Sequence, residues 1–135
     1  MFTVFPGMIK NIRLSHKEEK EEYSMPLPEI NLEDFQKIDL RVGEITAVER
    51  LEGTNKLLVL QVSLGDEERT LVAGLAPFYS PEEMVGKKII VLANLKPANI
   101  RGIKSQGMLL AADNGQGTVS ILTLDRDIAP GSKIR

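Results

Sequence analysis

The sequence predicts an all-β fold in which short strands form a small curved barrel. Two observations carry this prediction. Apolar side chains alternate with polar ones in several short segments after residue 39, and a single short helical signal interrupts them after the third segment. The chain has 135 residues, of which 42% are apolar and 27% charged, as expected of one globular domain with a single core. We therefore expect one folded unit over residues 31–135.

Each of the first three strands has its own signal. Residues 39–51 form the first strand, and Gly43 falls where the first strand of a small barrel must bulge or bend to serve two sheets. Residues 58–64 alternate apolar and polar side chains before a turn at Gly65. Residues 69–74 then return as the third strand, so the opening of the domain is predicted to be antiparallel.

A short helix should follow the third strand. Ser80 is placed as its N-cap, Pro81 occupies the first helical position, and Glu83 stands at the capping-box position three residues after the serine. Gly86 ends the helix about one turn later. This combination of signals predicts a brief, well-defined helix between strands three and four.

Further strands follow the helix. Residues 87–93 are rich in β-branched side chains and form the fourth strand, and residues 108–112 with 118–124 are predicted to form a hairpin. This order of elements is that of an OB-fold, a five-stranded Greek-key barrel with a helix between strands three and four. Residues beyond about 120 exceed five strands. They predict extra C-terminal strands that close an added sheet or pair with another subunit.

Residues 1–30 differ from the rest of the chain. A run of charged residues at 17–22 is followed by Pro26 and Pro28, which stop any helix before the barrel begins. We expect a charged N-terminal arm that is disordered or forms a short helix. No function is assigned to it.

The composition offers no catalytic machinery. The chain has no cysteine, and its one histidine, His16, lies in the charged arm away from any motif. The acidic residues show no metal-loop spacing, and no apolar run approaches the roughly 18 residues that a membrane span requires. We therefore expect a cytoplasmic binding protein that is not an enzyme and has no metal, cofactor or membrane partner.

One segment departs from the overall charge of -2. Residues 84–112 contain no aspartate or glutamate but hold five cations: Lys87, Lys88, Lys96, Arg101 and Lys104. Such a run creates a local positive face suited to phosphates, although an ordinary solvated face with clustered charge explains it equally well.

The loop at residues 94–108 favours binding over a merely solvated face. It mixes cations with the amides Asn94 and Gln106 and with two glycines that let a backbone approach a ligand. Aromatic residues make up only 4% of the chain, so shape and backbone recognition of structured RNA is favoured over stacking on single strands. By spacing alone, Met108 would lie in the core.

These same residues carry a resemblance to a known family. The segments 39–43, 55–57, 71–75, 81–88, 93–112 and 125–134 closely resemble the tRNA-binding domain family, and the runs 94–97 and 105–108 are its most specific motifs. This family includes free-standing tRNA-binding proteins, the C-terminal domain or β subunit of methionyl-tRNA synthetases, and endothelial-monocyte-activating-polypeptide-like domains. The resemblance covers residues 32–135. It implies an OB-fold that binds the outer corner of tRNA by shape, commonly as a homodimer and without catalysis.

The resemblance also implies a contact set. Lys56 would meet phosphate, Ser105 would hydrogen-bond to sugar or phosphate oxygens, and Met108 would press against ribose or base, which replaces the core interpretation of its spacing. Supporting contacts are expected from the other polar and basic residues of the motifs: Arg41, Asn94, Lys96, Arg101, Lys104 and Gln106.

The sequence leaves more than one role open. The chain could be a free-standing tRNA-binding protein or could serve with a methionyl-tRNA synthetase catalytic subunit. It could also be a protein-interaction module of a synthetase complex, with little RNA affinity, acting through the strands in residues 119–134. An export-chaperone-like branch of the fold lacks the motifs at 94–97 and 105–108, so their presence argues against that branch.

Overall fold

The computed structural model describes residues 26–135, and the structural statements that follow refer to those residues. Most of the predicted arm lies outside this range. Residues 26–30 are exposed and belong to no helix or strand. The boundary at residue 30 therefore stays a prediction, while the barrel itself is fully described.

The described residues form two short helices and ten strands, so the all-β prediction is confirmed. In chain order they are α1 (Leu32–Gln36), β1 (Leu40–Arg50), β2 (Leu58–Ser63), β3 (Glu68–Ala73), α2 (Pro81–Met84), β4 (Lys88–Leu92), β5 (Ala98–Ile100), β6 (Ile103–Ser105), β7 (Met108–Leu109), β8 (Ala111–Asp113), β9 (Val119–Ile121) and β10 (Lys133–Ile134).

The main sheet has the order β3-β2-β1-β4-β7, and all its pairings are antiparallel. Strand β1 spans 11 residues and serves two neighbours in turn, because residues 40–44 pair with β4 and residues 44–50 pair with β2. Strand β7 lies beside β3 and brings the two ends of the sheet together. The five strands β1, β2, β3, β4 and β7 therefore form the predicted OB-fold barrel.

The bulge in β1 is not at Gly43, which was the predicted position. The register with β2 shifts between Ile45 and Ala47 instead. Gly43 is required for a different reason: a Cβ there would lie 2.6 Å from Val62 Cγ1 and 2.9 Å from Val91 Cγ2. The glycine lets the two walls of the barrel approach each other where β1 crosses between them.

The core fills the barrel with the inward side chains of each strand. Leu58, Leu60 and Val62 alternate along β2 and are fully buried, as the period of two predicts. Met84 at the end of α2 is also fully buried in the same cluster. Because Met84 lies in the core, α2 acts as a plug for the barrel. Burial of one such side chain contributes about 1.5–3 kcal/mol.

The start of α2 follows its sequence signals. The backbone N–H of Ser80 donates to Glu83 Oε2 at 2.8 Å, which is one half of the predicted capping box. This bond lowers the pKa of Glu83 below its usual value, with a further contribution from the Ser80 hydroxyl. Val85 leaves the helix with extended dihedral angles, so the helix ends before Gly86.

The extra C-terminal strands fold onto the barrel of the same chain. Strands β8 and β9 form a hairpin, and Val119 and Ile121 of β9 are buried in the core. Strand β10 pairs with the start of β1, where Leu40 faces Ile134. Within the chain they form an added two-stranded sheet and one more pairing with β1, and their pairing with another subunit stays a prediction.

Close packing secures the C-terminal segment at two places. Lys88 Nζ donates to Asp127 Oδ1 at 2.7 Å and to the Ile128 carbonyl oxygen at 2.8 Å. Gly65 has φ 92°, and a Cβ there would lie 2.7 Å from the Pro130 carbonyl oxygen. The turn after β2 therefore needs glycine both for its backbone conformation and to admit the passing chain.

Candidate nucleic-acid interface

The central part of the acid-free segment forms a two-stranded hairpin of β5 and β6. Asn99 pairs with Lys104, and both side chains are exposed on one face. Arg101 and Gly102 make the connection with φ 51° and 86°. Positive φ at both central residues is the pattern of a type I′ turn, and the Gly102 N–H also donates to Asn99 Oδ1 at 2.8 Å. The hairpin is thus a locally determined unit with Arg101 at its tip.

The tip of this hairpin meets the loop between β1 and β2. Arg101 Nη1 lies 3.5 Å from the Gly53 carbonyl oxygen, which it faces as a donor. Lys56 is exposed in the same loop, and its carbonyl oxygen accepts the Ala76 N–H at 3.1 Å. The fold therefore brings Lys56 and Arg101 to one end of the barrel although they are distant in sequence.

We call this surface the hairpin face and define it by Lys56, Asn99, Arg101 and Lys104. Lys96 is exposed at the other end of the hairpin, close to where β4 ends. The three cations of the hairpin face and Lys96 form no ion pair within 4.0 Å among residues 26–135. These cations are Lys56, Lys96, Arg101 and Lys104. Their charges are available to a polyanion.

Other predicted cations are already engaged. The Arg41 guanidinium bonds to Asp39 Oδ1 at 3.0 Å, and this hydrogen bond and the charge of Asp39 raise the pKa of Arg41. Arg41 also lies at the start of β1, away from the hairpin tip. Lys88 pairs with Asp127 and is only 17% exposed at its side chain. In the β4 half of the acid-free run, Lys88 is thus compensated by acids from elsewhere in the chain, whereas Lys87 is exposed and has no ion pair within 4.0 Å among the described residues.

Asn94 has a structural role in the described fold. Its Oδ1 accepts the Asp39 N–H at 2.9 Å, and its Nδ2 donates to the Lys37 carbonyl oxygen at 2.7 Å. These bonds fix the link between α1 and β1 against the end of β4. The RNA contact expected of Asn94 stays a prediction. Both the oxygen and the nitrogen of its side-chain amide already form hydrogen bonds within the fold.

Ser105 and Gln106 lie at the edge of β3. Ser105 is 1% exposed, and its Oγ accepts the Val72 N–H at 3.0 Å. The Gln106 side chain accepts the Thr70 N–H at 3.1 Å through Oε1. Direct RNA contacts by Ser105 and Gln106 remain untested predictions, but in this structure both side chains are bonded to the barrel.

Met108 occupies β7 opposite Leu92 and is half-buried. Its neighbour Leu109 belongs to the core cluster, whereas Met108 does not. The core position suggested by spacing alone is therefore wrong for Met108. Its side chain belongs to the outer side of the barrel, as the alternation of β7 requires.

Arg69 is a residue that sequence reasoning missed. Its guanidinium donates to the carbonyl oxygens of Ala93 and Gln106, the latter at 3.2 Å, and pairs with Glu67 at 2.5 Å. The carbonyl groups come from positions 24 and 37 residues later in the chain. Backbone acceptors at such distances leave no trace in the sequence pattern, so no local signal could have identified Arg69.

The described residues supply little for other chemistry. Among residues 26–135, no group of three or more His, Cys, Asp or Glu side chains is arranged to hold a metal ion. In the same part of the chain, no helix has the length and apolar character to cross a membrane. What the described surface does supply is a set of unpaired cations on a rigid barrel.

An OB-fold barrel with exposed, unpaired cations on a hairpin and an adjoining loop belongs to the class of nucleic-acid-binding domains. The family model described as "Putative tRNA binding domain" matches residues 40–133. The chain belongs to this family. The match begins with β1 and ends in β10, so it includes every strand of the barrel and the whole hairpin face.

Methionine-tRNA ligases are among the sequence relatives of this chain. The methionine-tRNA ligase of Methanocaldococcus jannaschii is 48% identical over 120 residues, which cover 89% of this chain and 18% of that protein. The methionine-tRNA ligase of Caldanaerobacter subterraneus is 50% identical over 118 residues, which cover 87% of this chain and 17% of that protein. The chain thus spans less than a fifth of the curated relatives that it matches.

Solved structures show the same architecture. A MetRS related protein from Pyrococcus horikoshii superposes with a TM-score of 0.77 at 36% identity, covering 81% of this chain and 100% of that one. The chaperone CsaA of Bacillus anthracis superposes with a TM-score of 0.74 at 28% identity, covering 80% and 100%. We expected this chain to lie outside the chaperone-like branch. Because CsaA has the same fold, that expectation stays a prediction.

Proposed function

We propose that this domain binds tRNA through the hairpin face, recognising its folded shape and phosphate backbone, and that it performs no catalysis. The observation that carries the proposal is the group of cations without acidic partners on and beside the β5–β6 hairpin. Membership of the tRNA-binding family identifies the class of nucleic acid. The proposed site therefore combines Lys56, Arg101 and Lys104 as phosphate contacts, with Lys96 extending the surface.

Shape recognition fits the side chains at this surface. The hairpin face presents ammonium, guanidinium and amide groups, which bond to phosphate and sugar oxygens. The exposed aromatic side chains among the described residues are Phe35 on α1 and Phe78, which follows two residues after the Ala76 that bonds to Lys56. A surface that presents cations and an amide, with one aromatic ring in the adjoining loop, suits the backbone of a folded RNA, such as the outer corner of tRNA, better than a single strand.

We further propose that the domain works as a homodimer in the cytoplasm. Support comes from α1, which has no buried residue and carries apolar side chains into solvent. Leu32 is 68% exposed, and Leu27, Ile30, Phe35 and Ile38 beside it are also exposed. A second copy covering this apolar surface would remove it from water and bring two hairpin faces to one tRNA.

The same apolar surface supports a second candidate function. In this second candidate, the surface binds another protein, and the domain is an assembly module for a methionyl-tRNA synthetase catalytic subunit. The likeness to methionine-tRNA ligases supports such a partner. Without it, the chain would act as a free-standing tRNA-binding protein. The two candidates differ in whether the isolated domain has RNA affinity of its own.

Competition binding tests the main proposal. Fluorescent tRNA is titrated with the full chain, and unlabelled tRNA, duplex DNA and unstructured RNA compete. We expect tRNA to compete most strongly, and we expect log affinity to fall linearly with log salt. Stronger competition by unstructured RNA would contradict shape recognition, and an affinity independent of salt would contradict the phosphate contacts.

Sedimentation velocity with and without tRNA tests the assembly. We expect a dimer for the wild type and a monomer for Leu32→Glu, because the added charge would have to be buried in the proposed interface. Leu122→Glu places the same change at an exposed position outside α1 and should leave the dimer intact. Tight self-association without any tRNA affinity would favour the assembly module instead.

A further inference from the structure

Beside the hairpin, the barrel is closed by two side-chain hydrogen bonds and one backbone hydrogen bond, and not by a strand ladder. Strand β6 pairs with β5 in a separate two-stranded sheet, although it lies against β3. The edge of β3 bonds to the Ser105 hydroxyl at Val72 and to the Gln106 side chain and backbone at Thr70. We call this arrangement the seam and define it by Arg69, Thr70, Val72, Ser105 and Gln106.

Ser105 uses its hydroxyl fully within the seam. The Oγ accepts the Val72 N–H and faces the Gly107 carbonyl oxygen as a donor at 3.3 Å. With 1% of the residue exposed, this oxygen could reach a phosphate only if the seam opened. Removal of the hydroxyl would leave a buried N–H of Val72 without its partner, which is a costly loss.

Gln106 continues the same pattern two residues further along β3. Its backbone N–H donates to the Thr70 carbonyl oxygen at 2.8 Å, while its Oε1 accepts the Thr70 N–H at 3.1 Å. One residue thus satisfies both backbone groups of Thr70. The pair of bonds fixes the position of residue 106 along β3, and therefore the register of the hairpin that ends at Ser105.

Arg69 ties the seam to the end of β4. Its guanidinium donates to the carbonyl oxygens of Ala93 and Gln106, which lie at the two ends of the segment that contains the hairpin. Nη1 makes both of these bonds while Nε pairs with Glu67, so the planar guanidinium holds three acceptors at once, which an ammonium group on a flexible stem does less well. Arg69 therefore holds both ends of the hairpin segment together.

We propose that Ser105, Gln106 and Arg69 are positioning residues for RNA binding: through the seam they hold the β5–β6 hairpin so that Lys104 and Arg101 face the RNA together. This inference rests on the proposed function of the hairpin face. It assigns the motif at residues 105–108 to the barrel wall, and it adds Arg69, which lies outside that motif. The seam raises tRNA affinity because it keeps the hairpin of most free molecules in the position that binds RNA.

The test measures tRNA affinity, its salt dependence and amide hydrogen exchange in the same variants. In Ser105→Ala, we expect faster exchange of the Val72 amide and an affinity lower by about five- to tenfold, since fewer free molecules hold the hairpin correctly. The slope of log affinity against log salt should stay unchanged, because the bound complex neutralises the same phosphates. The Tm of the variant, measured in parallel, shows that the protein is folded.

Arg69→Lys provides a second variant that preserves charge. If Arg69 acted on RNA only as a cation, lysine would retain the wild-type affinity. If it bridges the two carbonyl oxygens, we expect a loss of about three- to tenfold, with an unchanged salt slope and faster exchange at Thr70. This variant keeps the proposal testable even if Ser105→Ala does not fold.

Lys104→Ala is the matched contact control. It should lower the affinity and reduce the salt slope by about 0.7–0.9, the loss of one phosphate contact, without changing exchange at Val72. A reduced slope in Ser105→Ala, or weaker binding of that variant with unchanged exchange, would show that Ser105 contacts RNA and would overturn the proposal. Wild-type affinity in both seam variants would overturn it as well.

The proposed function and the seam can fail separately. If the wild-type chain does not bind tRNA, the hairpin face is not an RNA site and the positioning role falls with it. The exchange measurements on the free protein would still show whether Ser105 and Arg69 protect the edge of β3. A protein that binds tRNA with an unprotected seam would instead retain the proposed function and lose this inference.

Discussion

The two halves of the acid-free run have the same sequence character, but only the first contains a cation, Lys88, that the fold pairs with carboxylates. Lys87 and Lys88 lie at the start of β4, where Lys88 is bonded to Asp127 and lies 4.0 Å from Glu44. Arg101 and Lys104 lie on the hairpin, with no carboxylate among the described residues within 4.0 Å. Charge counted along the chain treats these four cations as equal, but among them the fold pairs only Lys88 with carboxylates.

The difference shows that local electrostatic potential depends on which distant acids the fold delivers. The C-terminal segment brings Asp127 to the β4 half, 39 residues from Lys88. The hairpin projects from the barrel toward a loop that supplies Lys56. A run of bases becomes a binding surface for phosphates only where the fold leaves it unopposed.

Removal of both cations from one half gives the largest expected effect. Arg101→Ala combined with Lys104→Ala should lower tRNA affinity by roughly 30- to 150-fold, taking about 1–1.5 kcal/mol for each charged contact. Lys87→Ala combined with Lys88→Ala removes the same charge and should change affinity by no more than about twofold. Fluorescence anisotropy at one salt concentration measures both. Equal losses in the two double variants would show that total charge, and not the hairpin face, controls binding.

Lys56 tests whether the hairpin face extends beyond the acid-free run. Lys56→Ala should weaken tRNA binding by about five- to tenfold and reduce the salt slope by about 0.7–0.9, because one phosphate contact is lost. Lys37→Ala removes one exposed cation at the end of α1, where it pairs with Asp34, and should leave both quantities near wild type. Titrations at four salt concentrations provide the slopes. An unchanged slope in Lys56→Ala would remove Lys56 from the site.

Lys88 should matter for stability where Arg101 matters for binding. Lys88→Ala loses the bonds to Asp127 and to the Ile128 carbonyl oxygen that secure the C-terminal segment. We expect Tm to fall by about 3–6 °C in a thermal unfolding scan, while Arg101→Ala leaves Tm within about 1 °C. Lys87→Ala, at the exposed neighbouring position, is the matched control for the lost charge. A Tm loss in Arg101→Ala as large as in Lys88→Ala would break the contrast between the two halves.

The smallest effect concerns pH. The hydrogen bond from Lys88 and its positive charge lower the pKa of Asp127 below the usual 3.8. Because the pKa of Asp127 is lower in the folded protein, the ionised carboxylate stabilises the fold. This contribution is complete above the usual pKa of 3.8 and is lost as the pH falls through the lowered pKa. Asp127→Asn should therefore be less stable than wild type at neutral pH, with a difference that shrinks below pH 3.8. Denaturant unfolding across this range measures it.

Asp125→Asn is the control for the pH experiment. The Asp125 side chain is fully exposed, and its ion pair with Arg126 spans 4.0 Å. We expect no measurable difference from wild type at any pH, because such an exposed contact contributes little. A pH dependence in this variant that matches Asp127→Asn would remove the special role of the Lys88 pair.

The sequence predicted the elements whose signals are local. The alternation along β2, the capping residues of α2 and the order of strands around it all depend on neighbouring positions, and the structure has them as expected. The need for glycine at position 43 of β1 was predicted, but the reason differs from the predicted bulge. A Cβ at Gly43 would lie too close to side chains of β2 and β4. Sequence could indicate that glycine was needed there, but not which side chains approach it.

The candidate site was less accessible to sequence reasoning. Hairpin cations could be proposed from the missing acids, but Lys56 joined them only through the family resemblance. The roles of Ser105 and Gln106 depend on β3 groups 33 and 36 residues away. Polar residues in a specific motif indicate that something must be hydrogen-bonded, and only the fold distinguishes a barrel partner from a ligand.

The pairing of β10 with the start of β1 bears on how this domain can be attached to other proteins. Leu40 and Ile134 are neighbours across that pairing, so the chain enters and leaves the barrel at one place. The hairpin tip contacts the loop beyond the other end of β1, up to about 33 Å away along the strand. A partner joined through either connection would therefore start from the end of β1 that lies opposite the Arg101 tip.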